Sequence, residues 1–256
     1  MSTRVLVTGA SRGIGRAIAL RLSKNAQVIA LVRKDGDARA LADASGGRIG
    51  SLMLDLADRI ARALVVADAE RSFGPIDGLV HAAGLGEHRP LEAVDHAQLD
   101  ARLELDVLAG VDLARDLARS LRARRAPGSL LFVSSTLAER PAPTTSVYAI
   151  TKGAVSSMTR ALAIELAPDR IRVNALAPGV IDTEMVRAPR LAPGEPMPEG
   201  EARKAREDAQ IAELAKLHPL GRVGTVQELA DAAAFLLEAP FATGTILTLD
   251  GGLSLG

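Results

Sequence analysis

The chain has 256 residues, a length that α/β folds commonly build as one unit, and we take residues 1–256 as a single domain. Its 31 basic and 31 acidic side chains balance, so no global field favours nucleic acid or an anionic membrane as a partner. Cysteine is absent, which excludes disulfides, thiolate catalysis and cysteine-based zinc sites and fits a cytoplasmic location. No apolar stretch reaches the roughly 18 residues of a membrane span.

Short apolar runs alternate along the chain with amphipathic stretches. The apolar runs predict strands at residues 4–8, 27–32, 49–54, 76–81, 129–134, 171–176 and 245–249. Helical periodicity predicts helices at residues 15–24, 59–72, 98–123, 149–167 and 225–237. This alternation predicts one α/β domain with a doubly wound parallel sheet of about seven strands and helices on both faces.

The glycine-rich stretch "TGASRGIG", residues 8–15, joins the first strand to the first helix. Gly9, Gly13 and Gly15 would let the backbone approach a pyrophosphate at the amino end of that helix. Their spacing differs from the GxGxxG dinucleotide fingerprint, and a tight turn without any ligand is the alternative interpretation.

Two arginines bear on the choice of dinucleotide. The second strand ends in "ALVRK", and a carboxylate at this strand end would select NAD(H). Val32 and Arg33 occupy these positions instead. A second arginine, Arg12, lies in the glycine turn. Guanidinium groups pair with a 2′-phosphate, so NADP(H) is favoured over NAD(H). The alternative is a pair of solvated surface arginines.

Tyr148 is the only tyrosine in the chain and stands four residues before Lys152. One helical turn brings the two side chains to the same face, where the ammonium favours the phenolate. An unperturbed phenol titrates near ~10 and exchanges protons poorly at neutrality without such help. Ser135, at the end of the fifth strand, could hold a substrate oxygen beside the phenol.

These stretches, with "IRVNALAPGVIDT" and the terminal "LDGG", resemble the short-chain dehydrogenases/reductases along almost the whole chain, and 3-oxoacyl-carrier-protein reductases among them. The resemblance implies a Rossmann-type domain and an NADP(H)-dependent oxidoreductase that interconverts a ketone and a secondary alcohol. Tyr148 would be the general acid or base, Lys152 would bind the nicotinamide ribose, and Ser135 would hydrogen-bond the substrate carbonyl.

The resemblance also implies a set of cofactor contacts. Asp55 would meet the adenine ring, and the "PGVIDT" loop would orient the nicotinamide carboxamide and the diphosphate. The whole set comprises Gly9, Ser11, Arg12, Gly13, Ile14, Gly15, Arg33, Asp55, Ala82, Gly84, Tyr148, Lys152, Pro178, Gly179, Ile181 and Thr183. The histidine spacings predict no metal site.

Two positions depart from the family pattern. His81 stands in "HAAG" where the family has asparagine; we interpret it first as a structural variant and second as a residue that tunes the cofactor. The fourth catalytic residue, an asparagine in the family, aligns with Asp106, although another register places Val107 there. A carboxylate at Asp106 would favour the Lys152 ammonium and oppose the phenolate. The alternative function is therefore a catalytically impaired dinucleotide-binding sensor or partner subunit.

Residues 184–218 come after the cofactor loop and predict a lid that sets substrate choice; within them, residues 187–210 are typical of a loop followed by a polar helix. The substrate would be a small or carrier-linked carbonyl compound. The basic cluster of residues 119–125 is interpreted first as cations that complement the dipole at a helix end; as the alternative, Arg124 or Arg125 with Arg170 would dock an acidic carrier, as in related ketoacyl reductases. The resemblance implies a homodimer or homotetramer that pairs the helices predicted at 98–123 and 149–167.

Overall fold

The computed structural model describes residues 3–86, 89–190 and 195–255. Within them, seven strands form one parallel sheet. In chain order the strands are β1 (Arg4–Thr8), β2 (Gln27–Val32), β3 (Ile49–Met53), β4 (Gly78–His81), β5 (Gly128–Val133), β6 (Ile171–Pro178) and β7 (Ile246–Leu249). Their order across the sheet is β3-β2-β1-β4-β5-β6-β7, which confirms the predicted doubly wound α/β fold. The reversal between β1 and β4 opens a crevice at the carboxyl ends of these strands.

The strands are apolar without alternation because both faces of the sheet are covered. Leu6 of β1 packs into one hydrophobic core, whereas its neighbours Val5 and Val7 pack into the other. Each core lies between the sheet and a layer of helices. Every residue of β1 and of β2 is buried except the first of each strand, so a polar side chain at the buried positions would have no contact with solvent.

The helices lie on both faces of the sheet. In chain order those described are α1 (Gly13–Leu22), α2 (Asp35–Ser45), α3 (Arg59–Phe73), α4 (His96–Arg102), α5 (Ala109–Arg124), α6 (Ser146–Leu166), α7 (Glu184–Arg187), α8 (Gly200–Ala215) and α9 (Val226–Glu238). The buried faces of α3, α5 and α6 contribute to one core, and those of α1, α2 and α9 contribute to the other.

The single helix predicted at 98–123 is wrong, because the chain forms α4 and α5 with a π-helical turn at Leu103–Leu108 between them. A π turn inserts an extra residue into the helix and rotates the turns after it, a change that apolar periodicity does not reveal. The helix α2 was not predicted, because its sequence buries only Leu41 and Ser45 and so has almost no apolar stripe.

Candidate active site

The turn between β1 and α1 approaches the loop after β4 closely. Gly9 has a φ of +66°, a region that disfavours side chains. A Cβ atom there would lie 2.7 Å from the backbone nitrogen of Ala83. The first turn of α1 contains no acidic residue, so its amino end presents N–H groups and a positive dipole to an anion. This turn fits a pyrophosphate.

A cavity of about 410 Å³ opens beside this turn, at the carboxyl edge of the sheet. Its size and position match a ligand site of a doubly wound sheet. Most of the residues predicted to bind the cofactor line it: Gly9, Ser11, Arg12, Gly13, Ile14, Gly15, Arg33, Asp55, Ala82, Gly84, Tyr148, Lys152 and Thr183.

Pro178, Gly179 and Ile181 do not line the cavity. The Pro178 carbonyl accepts a hydrogen bond from Thr136 Oγ1 at 3.2 Å, and the Gly179 N–H donates to the Leu249 carbonyl at 2.9 Å. Ile181 is buried with 3% of its surface exposed. These three residues shape the loop that carries Thr183 to the cavity.

The cavity has further walls that the sequence did not predict. Leu31, Val32 and Val133 end strands β2 and β5, so their position was available from the strand pattern. Glu184 and Met185 stand at the start of the predicted lid, whereas no sequence signal pointed to the walls near the π turn. The remaining residues are Leu54, Leu56, Ala57, Ala83, Leu85, Ala101, Glu104, Leu105, Glu184 and Met185.

At one end of the cavity, Arg12 and Arg33 are both exposed to solvent. Arg12 lies 3.9 Å from the carboxylate of Glu184. Because both side chains are exposed, this ion pair fixes the position of Arg12 only weakly. The Asp55 carboxylate accepts a hydrogen bond from the N–H of Ala57 at 3.0 Å, which keeps its loop turned towards the cavity. Two cations that can turn towards an added anion therefore lie at this end.

At the other end, the residues after β5 and in α6 supply three of the four predicted catalytic side chains; Tyr148 and Lys152 line the cavity, and Ser135 does not. Ser135 comes after β5 and is 8% exposed; its Oγ accepts from the Leu137 N–H at 3.2 Å, which leaves the hydroxyl hydrogen for a ligand. The Lys152 ammonium lies 5.6 Å from the centre of the Tyr148 ring and donates to the Val133 carbonyl at 3.1 Å. Tyr148 is half-buried and borders the cavity.

Asp106 lies in the π turn and faces this group, whereas Val107 packs against the hydrophobic core; the catalytic role of Asp106 stays a prediction. One carboxylate oxygen accepts from Thr151 Oγ1 at 3.1 Å, and the other lies 3.5 Å from Lys152 Nζ. A Cβ atom at Gly84 would lie 2.5 Å from this second oxygen and 3.1 Å from Lys152 Nζ. The ion pair therefore needs the space that Gly84 leaves.

His81 ends β4 and is 2% exposed. It hydrogen-bonds Thr8 on β1 and the Leu105 carbonyl in the π turn. Burial and then the nearby Lys152 ammonium lower the pKa of His81 to about 4, so the imidazole is neutral at physiological pH.

Comparison with known proteins identifies the family. A family model described as enoyl-(acyl carrier protein) reductase matches residues 9–254. The chain belongs to the short-chain dehydrogenase/reductase family. L-xylulose reductase of Mesocricetus auratus is 35% identical over 252 residues, which cover 97% of this chain and 95% of that protein.

Two further proteins are similar to this chain over nearly their full length. The 3-oxoacyl-[acyl-carrier-protein] reductase of Bos taurus is 32% identical over 250 residues, 97% of each chain. The ligand-free aldohexose dehydrogenase of Thermoplasma acidophilum superposes with a TM-score of 0.86 at 30% identity, covering 100% of this chain and 95% of its own. The prediction of an oxidoreductase that acts on alcohol and ketone groups is confirmed, and the alternative of an impaired sensor receives no support.

The segment predicted as a lid starts with α7 and contains α8; its residues 191–194 lie outside the described part of the chain. Arg187 of α7 joins the β6–α7 loop to α8, since its guanidinium contacts Asp182 at 2.6 Å and Asp208 at 3.1 Å. Glu184 and Met185 reach the cavity wall. The polar helix expected within residues 187–210 is α8, which ends at Ala215.

The arginines predicted to dock a carrier have contacts within the chain. Arg124 lies 3.6 Å from Glu70 and 3.5 Å from Asp77, and Arg170 donates to the Arg125 carbonyl at 2.6 Å. These arginines precede β5 and β6, so they lie at the amino edge of the sheet, opposite the cavity.

In the described part of the chain, none of the helices has the length and apolarity that crossing a bilayer requires.

Proposed function

We propose that this protein reduces a ketone to a secondary alcohol with NADPH, and catalyses the reverse reaction with NADP⁺, at the group formed by Ser135, Tyr148 and Lys152. The observation that carries the proposal is that Tyr148 and Lys152 meet at the wall of the cavity that the glycine turn also lines, while Ser135 follows directly after β5. The turn would hold the pyrophosphate on the amino end of α1, and Asp55 would hold the adenine end.

The bound nicotinamide supplies or accepts the hydride. Arg12 and Arg33 favour NADP(H), because two exposed guanidinium groups at the adenosine end can pair with a 2′-phosphate. Lys152 would hydrogen-bond the nicotinamide ribose from its place below the Tyr148 ring. Its contact with Val133 keeps the ammonium within reach of both the ribose and the phenol.

In the reductive direction, the Ser135 hydroxyl would donate a hydrogen bond to the substrate carbonyl oxygen. This bond polarises the carbonyl and places its oxygen beside the phenol. The Tyr148 hydroxyl would then give its proton to that oxygen as negative charge develops on it, and the Lys152 ammonium would stabilise the phenolate that remains. In oxidation the same phenolate takes the proton back.

The test is turnover with NADPH against a neutral ketose, an apolar ketone, a 3-oxoacyl thioester and a 2-enoyl thioester. We expect one of the carbonyl compounds to be reduced, and Tyr148→Phe to lose activity by a factor of about 100 or more while binding NADPH normally. Reduction of the enoyl thioester alone would contradict the proposal, since no carbonyl would then be the acceptor.

The 3-oxoacyl thioester also tests a carrier-linked substrate. Arg125→Glu should slow turnover of the carrier-bound form without affecting the free thioester, if the cluster of Arg124, Arg125 and Arg170 docks an acidic carrier. Equal rates with both forms would leave a small-molecule carbonyl as the substrate class.

We further propose that residues 1–256 act as one domain in which residues 184–218 form the lid. Met185 of α7 lies against Gly86 in the loop after β4, so α7 bridges the mouth of the cavity. Replacing residues 195–215 by a short linker should change the ranking of ketones while NADPH still binds. An unchanged ranking would refute a role of the lid in specificity.

We also propose a homodimer or homotetramer in the cytoplasm. The exposed apolar side chains of the π turn, α5 and α6 supply an association surface; these are Leu108, Val111, Ile150 and Ile164. Sedimentation should show a dimer or tetramer that Ile164→Glu dissociates, and a monomeric wild-type protein would reject the assembly. Cell fractionation tests the location.

A further inference from the structure

His81 joins the loop that borders the cofactor cavity to the π turn that carries Asp106. On one side, Thr8 Oγ1 lies 3.0 Å from His81 Nδ1 and accepts hydrogen bonds from the N–H groups of Ala82 and Ala83 at 3.2 and 3.1 Å. On the other side, His81 Nε2 lies 3.1 Å from the Leu105 carbonyl oxygen.

These contacts determine the tautomer of the imidazole. Both lone pairs of Thr8 Oγ1 are occupied by the Ala82 and Ala83 amides, so its one hydrogen is given to His81 Nδ1. The proton of the neutral ring is then on Nε2, where it is donated to the Leu105 carbonyl. One chain of hydrogen bonds therefore runs from the cofactor loop through Thr8 and His81 to the π turn.

The Leu105 carbonyl is the last backbone group before Asp106. A π turn weakens the regular i to i−4 pattern of the helix, and a side chain that binds a carbonyl within it fixes the position of the turn. Asp106 is held by Thr151 and lies 3.5 Å from the Lys152 ammonium. A shift of the turn would therefore change the distance between the carboxylate and the ammonium.

The fold fits closely around the imidazole. Phe132 of β5 meets it edge-on, with 6.2 Å between ring centroids. A Cβ atom at Gly110 of α5 would lie 3.2 Å from His81 Cδ2, so this glycine leaves the ring its space. Among the described residues, the charged groups that act on His81 are Lys152 and Asp106. Burial and Lys152 keep the ring neutral, which Nδ1 requires in order to accept the hydrogen of Thr8.

We propose that His81 is a positioning residue for the reaction: by holding the π turn through Leu105, it sets the separation between Asp106 and Lys152 and thereby the proton affinity of the Tyr148 group. The inference depends on the proposed function, because it assigns a task within that site. It differs from a purely structural role for His81, which would affect stability and leave the pH dependence of catalysis unchanged.

Two variants separate the two hydrogen bonds of the ring. In His81→Asn, the short amide can still meet Thr8 but ends before Leu105. We expect NADPH affinity to be kept and kcat to fall between about tenfold and a hundredfold, as misplacements of about 1 Å do. The pH above which the rate of reduction falls should become lower. With Asp106 farther away, more of the Lys152 charge acts on Tyr148, which then loses its proton at a lower pH. His81→Gln, whose longer amide reaches Leu105, should recover part of kcat.

Gly110→Ala is an independent probe, since it displaces the imidazole without removing it and should move the pH profile in the same direction. In an Asp106→Asn background, His81→Asn should cause almost no further shift of the profile, because the carboxylate through which it acts is gone. Additive shifts, or an unchanged profile in His81→Asn with only a lower Tm, would overturn the proposal.

A crystal structure of His81→Asn gives a readout that needs no turnover. We expect the Asp106–Lys152 separation to grow beyond the salt-bridge limit of about 4 Å. An unchanged separation in the folded variant would overturn the positioning role even if activity fell. If the wild-type protein reduced no ketone, or if Tyr148→Phe remained active, the proposed function would fail instead. The Asp106–Lys152 separation in the His81→Asn crystal structure would still show whether His81 holds the π turn in place.

Discussion

At the scale of the residue, the missing side chain of Gly84 decides how closely Asp106 and Lys152 meet. A methyl group there would come within 2.5 Å of the Asp106 carboxylate and 3.1 Å of the ammonium. We expect Gly84→Ala to push Lys152 away from Tyr148 and to lower kcat by about a hundredfold. Gly36→Ala in α2 is the matched control, because its methyl group would have nothing within 4 Å. Equal kcat values for the two variants would contradict the prediction.

Arg33 tests the choice of dinucleotide. If it pairs with a 2′-phosphate, Arg33→Gln should weaken NADPH by roughly tenfold to a hundredfold, the worth of one or two charge-assisted hydrogen bonds, and leave NADH unchanged. Lys34→Gln is the control, since this exposed neighbour carries the same charge but does not line the cavity. Fluorescence titration with both dinucleotides measures the effect; a loss of NADH affinity as large as that of NADPH would speak against phosphate recognition.

At the scale of the element, Arg172 ties the carboxyl end of α9 to the sheet. From β6 its guanidinium donates to the carbonyls of Leu236 and Leu237, in the last turn of α9, where a helix leaves carbonyl groups without partners, and to the carbonyl of Ala242 in the loop that follows. Burial lowers the pKa of Arg172, so the group that makes these bonds is partly removed from water.

Arg172→Met should therefore lower the free energy of unfolding by about 2 kcal/mol, because the partly buried carbonyls of Leu236 and Leu237 lose a charged donor. Urea unfolding measures the change. Arg203→Met in α8 is the control, since that arginine is exposed and, among the described residues, its guanidinium bonds to Glu207 one turn away. A destabilisation no larger than that of the control would show that water replaces the guanidinium.

The elements also show what a sequence can predict. The strands were predicted within about two residues because each is a short apolar run, a pattern that depends on local composition alone; β1, β2 and β4 are also buried on both faces. Helical spacing and strand ends predicted the group of Ser135, Tyr148 and Lys152, whose catalytic role stays a prediction. The π turn and the walls near Glu104 and Leu105 were not, because they depend on contacts between residues distant in the chain. The close approach of Gly84 to Asp106 could not be predicted for the same reason.

At the scale of the whole molecule, the buried imidazole of His81 makes folding depend on pH. Burial lowers its pKa from 6.5 to about 4 in the folded protein, whereas the unfolded chain keeps the ordinary value. Between about pH 6.5 and pH 4, His81 is protonated in the unfolded state and neutral in the folded state. Stability is thus fully present above pH 6.5 and is lost as the pH falls through this window.

The expected loss from His81 is about 3 kcal/mol between pH 7 and pH 4, the free-energy equivalent of such a pKa difference. Carboxylates such as Glu228, whose pKa is lowered to about 2 by Arg222 and by Thr225, add their own loss mainly below pH 4.5. Urea unfolding at half-unit steps should show the decline beginning above that point. In His81→Asn, which cannot titrate there, the curve should be flat from pH 6.5 to about pH 5. A decline of equal size in both proteins would assign the effect to other groups, since only the wild type carries the imidazole.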